Sequence, residues 1–314
     1  MAQAMAHGKA GRWEAAGTQM LRTITLAPEQ RLARQGLLEC AKKLTLASKC
    51  PSPPPADNAR ADGSISFIVC SISPAKLQRL RADLELHFRG NDWELIHIGD
   101  ARSLCEGYNR GLARASGELL VFCHDDIGLL REDFVTRLRR HLARYDVVGI
   151  AGTDRLTGPT WFWQGPPHTY MWTAAMPRNN ACLISLLGAA GPVIENAQAL
   201  DGVFIAARRS VFSTLEFDAA TFDGFHFYDL DFSYRAHRAG LNCAIALDLL
   251  LWHESGGSFD QRWQHYADRF LAKFPELTPQ RPAEPSNAAG IMVDPALVPG
   301  IYAWVEHWYT HKAA

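Results

Sequence analysis

From Ser64 onward, short dense apolar runs alternate with longer stretches in which leucines recur every three or four residues. The runs "SISFIVCSI" (64–72), "WELIHIGD" (93–100) and "GELLVFCHDD" (117–126) have strand length and composition, and suit strands buried on both faces. Between them, Leu77, Leu80, Leu84 and Phe88 share one face of a predicted helix over 76–88, and 104–116 reads as a second helix. "REDFVTRLRRHLARY" (131–145) predicts another helix and "DVVGIAGT" (146–153) a fourth strand. This alternation predicts an α/β domain with a Rossmann-like, mostly parallel sheet flanked by helices, whose ligands sit beyond the carboxyl ends of the strands.

The flanks have other periods. Trp13, Ala16, Met20, Leu21 and Ile24 cluster on one face, and Leu32, Leu37, Leu38, Ala41 and Leu44 do so after Pro28, so residues 1–49 are expected to hold a small helical hairpin. Its "GRWEAAG" and "LAPEQ" segments look like half of a tetratricopeptide repeat, a unit that cannot bury its own face without neighbours. It is therefore either a protein contact or a plain cap. A Pro-rich linker is expected over 50–63, the main domain over 64–280, and a tail packing on that domain over 281–314. Residues 155–200, rich in Gly, Pro and Trp, show little periodicity and read as a loop-rich insertion. After it come a strand and helix start (201–215), an acidic helix (226–240) and a strand leading to His253 (241–257).

Composition narrows the function classes. With 32 basic and 33 acidic residues and a net charge of −1, the chain lacks the electrostatic footprint of a nucleic-acid binder. Its 7 cysteines are scattered without a Cys-x-x-Cys pair, which excludes a zinc knuckle and suits a reducing compartment. No run approaches the ~20 apolar residues of a membrane span, and Lys9, Arg12 and Glu14 interrupt any signal-peptide core. A cytoplasmic protein is expected.

Ser71, Asp100 and the sequence His124-Asp125-Asp126 all fall at predicted strand ends. Adjacent aspartates are ordinary turn residues, but they also suit a cation. Mg²⁺ or Mn²⁺ is commonly held by one or two carboxylates together with substrate phosphates, and an imidazole such as His253 favours Mn²⁺. Asp229 and Asp231 in "YDLDF" add two carboxylates, which can equally serve as the charged first turn of a helix. In the insertion, Trp161, Trp163 and Trp172 offer flat faces for an acceptor, with Gln164 and His168 as polar handles, or else form a small satellite core.

Taken in order, "YNRGLARASGELLVFCHDD", "DGVFIAARRSVF" and "FYDLDFSYRAHRAG" resemble the conserved blocks of family 2 glycosyltransferases, over about residues 65–275. The nearest variant is the streptomycin-biosynthesis glycosyltransferase-like group, with its His before the acidic pair and a late "His-x-Ser-Gly-Gly". The resemblance implies a GT-A-type fold and a metal-dependent inverting hexosyltransferase acting on a UDP-, GDP- or dTDP-linked sugar and a glycan or small-molecule acceptor. It implies donor contacts from Ser71, Asp100, Asn109, His124 and Asp125, metal ligation by Asp126 and His253, and Asp229 as general base. Trp161, Trp163, Gln164, Asp201 and Asp231 are candidates for the acceptor side. His124 stands where the family's Asp-x-Asp motif begins, and Tyr228 replaces the usual Glu before the base. These departures leave open a domain that binds a nucleotide sugar or glycan without turnover. A phosphohydrolase built from the same carboxylates would need a second metal cluster, which the sequence does not offer.

Overall fold

The structure is a computed structural model that describes residues 1–51, 61–175, 177–188, 191–277 and 288–311. Two seven-stranded sheets organise it. In the first, the strand order is Trp93–Ile98, Ile65–Cys70, Leu119–Cys123, Phe204–Arg208, Val147–Gly149, Cys243–Ala246 and Val193–Glu195. The three leading strands are parallel, and Phe204–Arg208 inserts antiparallel between Leu119–Cys123 and Val147–Gly149. The predicted sheet flanked by helices is therefore present, with one reversed strand at its centre. Its central strands are apolar on both faces because both are covered. Ile65, Phe67 and Val69 pack with Leu80, Leu84 and Phe88 and with Phe134 and Leu138 from the helices on one side, while Ile68, Leu120 and Phe122 pack with Tyr108 on the other.

The second sheet lies where the pattern was weakest. Its path runs Ala199–Leu200, Ala151–Thr153, Thr169–Ala175, Leu251–His253 and Ile127–Leu129, with Cys182–Leu187 on Thr169–Ala175 and Ala289–Val293 on Cys182–Leu187. The expected single strand over 146–153 divides at Ile150, one half entering each sheet. The expected loop-rich insertion is corrected too: residues 155–200 contain four strands. Some of their partners come from distant parts of the chain, since Thr169–Ala175 pairs with Leu251–His253 and Cys182–Leu187 with Ala289–Val293.

The N-terminal residues form three helices, Ala2–Lys9, Trp13–Leu26 and Arg31–Leu46, and the last two lie against the C-terminal helix Val298–His311. Gly17 allows this approach, since a Cβ there would overlap the Trp308 ring. Trp304 Nε1 donates to the Lys49 carbonyl at 3.0 Å. The neighbour that half a repeat requires is thus supplied by the same chain. A buried ion network ties that helix to the first sheet: Arg137 bonds Asp248 (2.7 Å) and Glu306 (2.6 Å), Arg131 bonds Glu306 (2.9 Å), and His141 bonds Asp248 (2.7 Å). Most of the expected linker, residues 52–60, lies outside the described residues. No described helix is long and apolar enough to cross a membrane.

Candidate active site

The strand Leu119–Cys123 delivers His124 at its carboxyl end, and the chain turns through Asp125 and Asp126 into Ile127–Leu129. Leu251–His253 pairs antiparallel with that short strand in a register that sets His253 opposite Ile127. Two histidines far apart in sequence thereby meet one carboxylate. His253 Nε2 lies 3.4 Å from both His124 Nδ1 and Asp126 Oδ1, and His124 Nδ1 is 3.9 Å from Asp126 Oδ1. Ligands at ordinary metal–ligand distance from one ion lie about 3–3.5 Å apart, so this trio fits a divalent cation with little movement. It is the one cluster of this kind among the described residues. Burial works against ionisation of Asp126, but hydrogen bonds from His253 and Ser255 and the adjacent imidazoles hold its carboxyl well below the usual range. Burial, reinforced by His253, lowers the pKa of His124. Lys76 Nζ sits on the other carboxylate oxygen of Asp126 at 3.2 Å.

A second group faces the same space. The helix Tyr228–Arg238 starts directly after Phe227, whose φ of 66° is the left-handed conformation that non-glycine residues adopt rarely. This sharp entry turns Tyr228 and Asp229 inward. Tyr228 Oη is 2.9 Å from His124 Nε2, and Asp229 Oδ2 accepts from the Gly202 amide at 2.8 Å. Burial first, and the nearby Asp201 second, push the Asp229 carboxyl up to about 7. Asp201 itself accepts from Val203 N (2.9 Å) and from Trp161 Nε1 (3.0 Å). His124, His253, Asp229, Asp201, Tyr228 and Trp161 all line one cavity of about 620 Å³ between the sheets.

The other sequence candidates divide. Ser71 donates to Asp125 at 2.5 Å, beside Asp126 of that trio. Asp100 is 82% exposed at the end of its strand and ion-paired with Arg110. Asn109, expected on the donor side, bonds the Phe217 backbone with both ends of its amide, at 2.7 and 3.1 Å, and so clamps that loop. Asp231, expected on the acceptor side, is fully buried and paired with Lys273 (2.5 Å) and Arg235 (2.8 Å), away from the cavity. Helical periodicity turns it to the opposite side from Asp229. Trp163 stacks on Phe259 at 5.3 Å, Gln164 is engaged by Thr157 and Thr160, and Trp172 stacks on Tyr302 in the core, so none of these three offers a free face to the cavity as expected. His168 is paired with Asp154 at 2.8 Å. Sequence reasoning missed Lys76, Ser255, Phe225 and Trp263. Lys76 could have been found from its place in the first turn of a helix that follows the first strand of an α/β pattern, where anions collect.

A family model described as "Glycosyltransferase like family" matches residues 66–274, more than half of the chain. The chain belongs to this family. For this glycosyltransferase-like protein, the matched span contains every residue that lines the cavity. No curated protein sequence matches it. Among the solved structures similar to it are two at low identity. The mannosyltransferase PcManGT from Pyrobaculum calidifontis, solved with GDP-Man and Mn²⁺, is 14% identical with a TM-score of 0.43, over 95% of this chain and 84% of that one. GalNAc-T7, solved with UDP, GalNAc and Mn²⁺, is 10% identical with a TM-score of 0.41, over 68% of this chain and 51% of that one.

Proposed function

We propose that this glycosyltransferase-like protein is a metal-dependent, inverting hexosyltransferase that uses a nucleotide sugar. One observation carries the reading: a single cavity has on its walls the raised Asp229 carboxyl together with His124 and His253, the two imidazoles that cluster with Asp126. The trio would hold the cation, and its two imidazoles favour Mn²⁺ over Mg²⁺. When bound, such a cation offsets the charge that grows on the departing nucleoside diphosphate. Ser71, Asp125 and Asp100 at the strand ends would contact the nucleoside side of the donor, and Lys76 would meet a phosphate oxygen. Asp229 takes the proton of the acceptor hydroxyl as that oxygen attacks the anomeric carbon. The bond from that carbon to the diphosphate breaks, and the leaving group departs with the electron pair. A base near pKa 7 is well matched to this task at neutral pH. One displacement inverts the anomeric centre. Trp161 and Asp201 supply a flat apolar face and an acceptor of hydrogen bonds for the incoming hydroxyl compound. The His before the acidic pair and the late "HESGG" support the streptomycin-biosynthesis-like variant within the family. The described free cysteines suit the cytoplasm.

The test is a thermal-shift screen of wild type and Asp126→Ala against UDP-, GDP- and dTDP-sugars, with and without Mn²⁺. A donor-specific, Mn²⁺-dependent rise in Tm that vanishes in Asp126→Ala is expected. The donor so found, supplied with acceptors, should give a product of inverted configuration by NMR. A folded protein that no donor stabilises would leave a glycan-binding domain, and a product of retained configuration would remove Asp229 from the role of sole base.

A further inference from the structure

Tyr228 occupies the position before the proposed base, where the family resemblance places a glutamate. It is only 5% exposed, its ring meets Tyr108 edge-on at 5.6 Å, and Gly202 lies against its hydroxyl so closely that a Cβ there would collide with it. The hydroxyl end is therefore fixed, 2.9 Å from His124 Nε2. The other nitrogen of that imidazole, Nδ1, points to His253 Nε2 at 3.4 Å and to Asp126 Oδ1 at 3.9 Å. A neutral imidazole carries one proton. Only when that proton is on Nε2 does Nδ1 have a lone pair to give a cation. A phenol oxygen can accept from Nε2–H and keep its own O–H for the cavity, which Tyr228 also lines. A phenyl ring offers no such acceptor.

We infer that Tyr228 is a positioning residue for the metal trio: its hydroxyl accepts from His124 Nε2–H, selects that tautomer and leaves Nδ1 bare as a ligand atom. The inference rests on the metal reading proposed above. It also explains why one helix start carries both functions, since Tyr228 orients a metal ligand and the next residue is the base. The spacing between cation and base is then set by a single turn of backbone, the one entered through Phe227.

Tyr228→Phe keeps the ring and removes only the oxygen. Tyr108→Phe is the control, because its hydroxyl is also buried nearby but reaches only the Cys123 carbonyl, at 3.5 Å. Two readouts are needed: Mn²⁺ affinity from the EPR signal of free Mn²⁺, and the ¹⁵N spectrum of the His124 imidazole without metal. In wild type the metal-free spectrum should show the Nε2–H form. In Tyr228→Phe it should show a tautomer mixture, with Mn²⁺ affinity about 10–100-fold weaker. Tyr108→Phe should change neither. Unchanged Mn²⁺ affinity in Tyr228→Phe, or a wild-type proton on Nδ1, would overturn the inference. Should wild type itself bind no Mn²⁺, the metal reading falls, and the imidazole spectrum still decides whether Tyr228 fixes the tautomer.

Discussion

Asp229 and Asp231 are two residues apart in "YDLDF" yet have opposite energetics. Asp231 is ion-paired with Lys273 and Arg235, whereas Asp229 has only amide donors and a second carboxylate nearby. Its folded pKa of about 7 lies above the ordinary carboxylate value. For an acid raised in this way, stability is greatest below the unfolded pKa and is lost as pH rises through the folded one. Asp229→Asn is therefore expected to raise Tm, with no gain at about pH 4 and a full gain above pH 7 of roughly 2–4 kcal/mol. Thermal unfolding at several pH values checks this. The same substitution should lower turnover by about 10²–10⁴-fold with donor affinity retained, and wild-type kcat/KM should rise with pH through about 7. Asp231→Asn should do the reverse, costing roughly 3 kcal/mol in denaturant unfolding and leaving Mn²⁺ affinity as it was. Nothing in a string of alternating Asp and Leu separates these fates. They follow from which face of the helix each residue occupies and from what Lys273, 42 positions away, contributes there.

At the scale of elements, periodicity identified what was locally self-sufficient. The first three strands and the helices between them were legible because the strand runs are short and dense in apolar residues and the helix of residues 76–88 repeats Leu77, Leu80 and Leu84 on one face. The strands within 155–200 were not, since their runs are short, are broken by Gly and Pro, and depend on partners supplied by Leu251–His253 and Ala289–Val293. The apolar run "CAIALDLLLW" likewise gave no sign that Asp248 would separate a strand of the first sheet from one of the second. Buried Asp248 is the anchor for Arg137 and His141, and those partners hold its carboxyl well below the usual range despite burial. A depressed carboxylate contributes stability above its unfolded pKa and loses it as pH falls. Cooperative acid unfolding is thus expected to begin below about pH 4. Glu306→Ala, which strips Arg131 and Arg137 of a shared partner on the C-terminal helix, should cost roughly 3 kcal/mol, measured by urea unfolding, without altering the metal site directly.

For the whole molecule, the cavity lies where two sheets meet, so its walls come from segments between residues 124 and 263. His124 and His253 are only half-buried at the cavity wall, and metal removal should not unfold the protein. Mn²⁺ at 100 times its Kd should add about 2.7 kcal/mol of stability, and a chelator should return Tm to its metal-free value with the far-UV circular dichroism unchanged. Loss of helical signal on chelation would show instead that the trio is a structural centre. The amino-acid sequence by itself determined the α/β alternation, the helices at the N-terminus and the placing of polar residues at strand ends, because these depend on local period and on residues adjacent in the chain. Its ordered blocks also pointed to the family. Only the tertiary structure decided that His124, rather than Asp125, joins Asp126 and His253, that Asp229 and not Asp231 faces the cavity, and that the tetratricopeptide-like helices are covered by the chain's own C-terminus. Those are contacts between residues 129 positions apart at the two histidines and 255 apart at the packed terminal helices, set by strand register and by the packing of distant elements, and no local period encodes them.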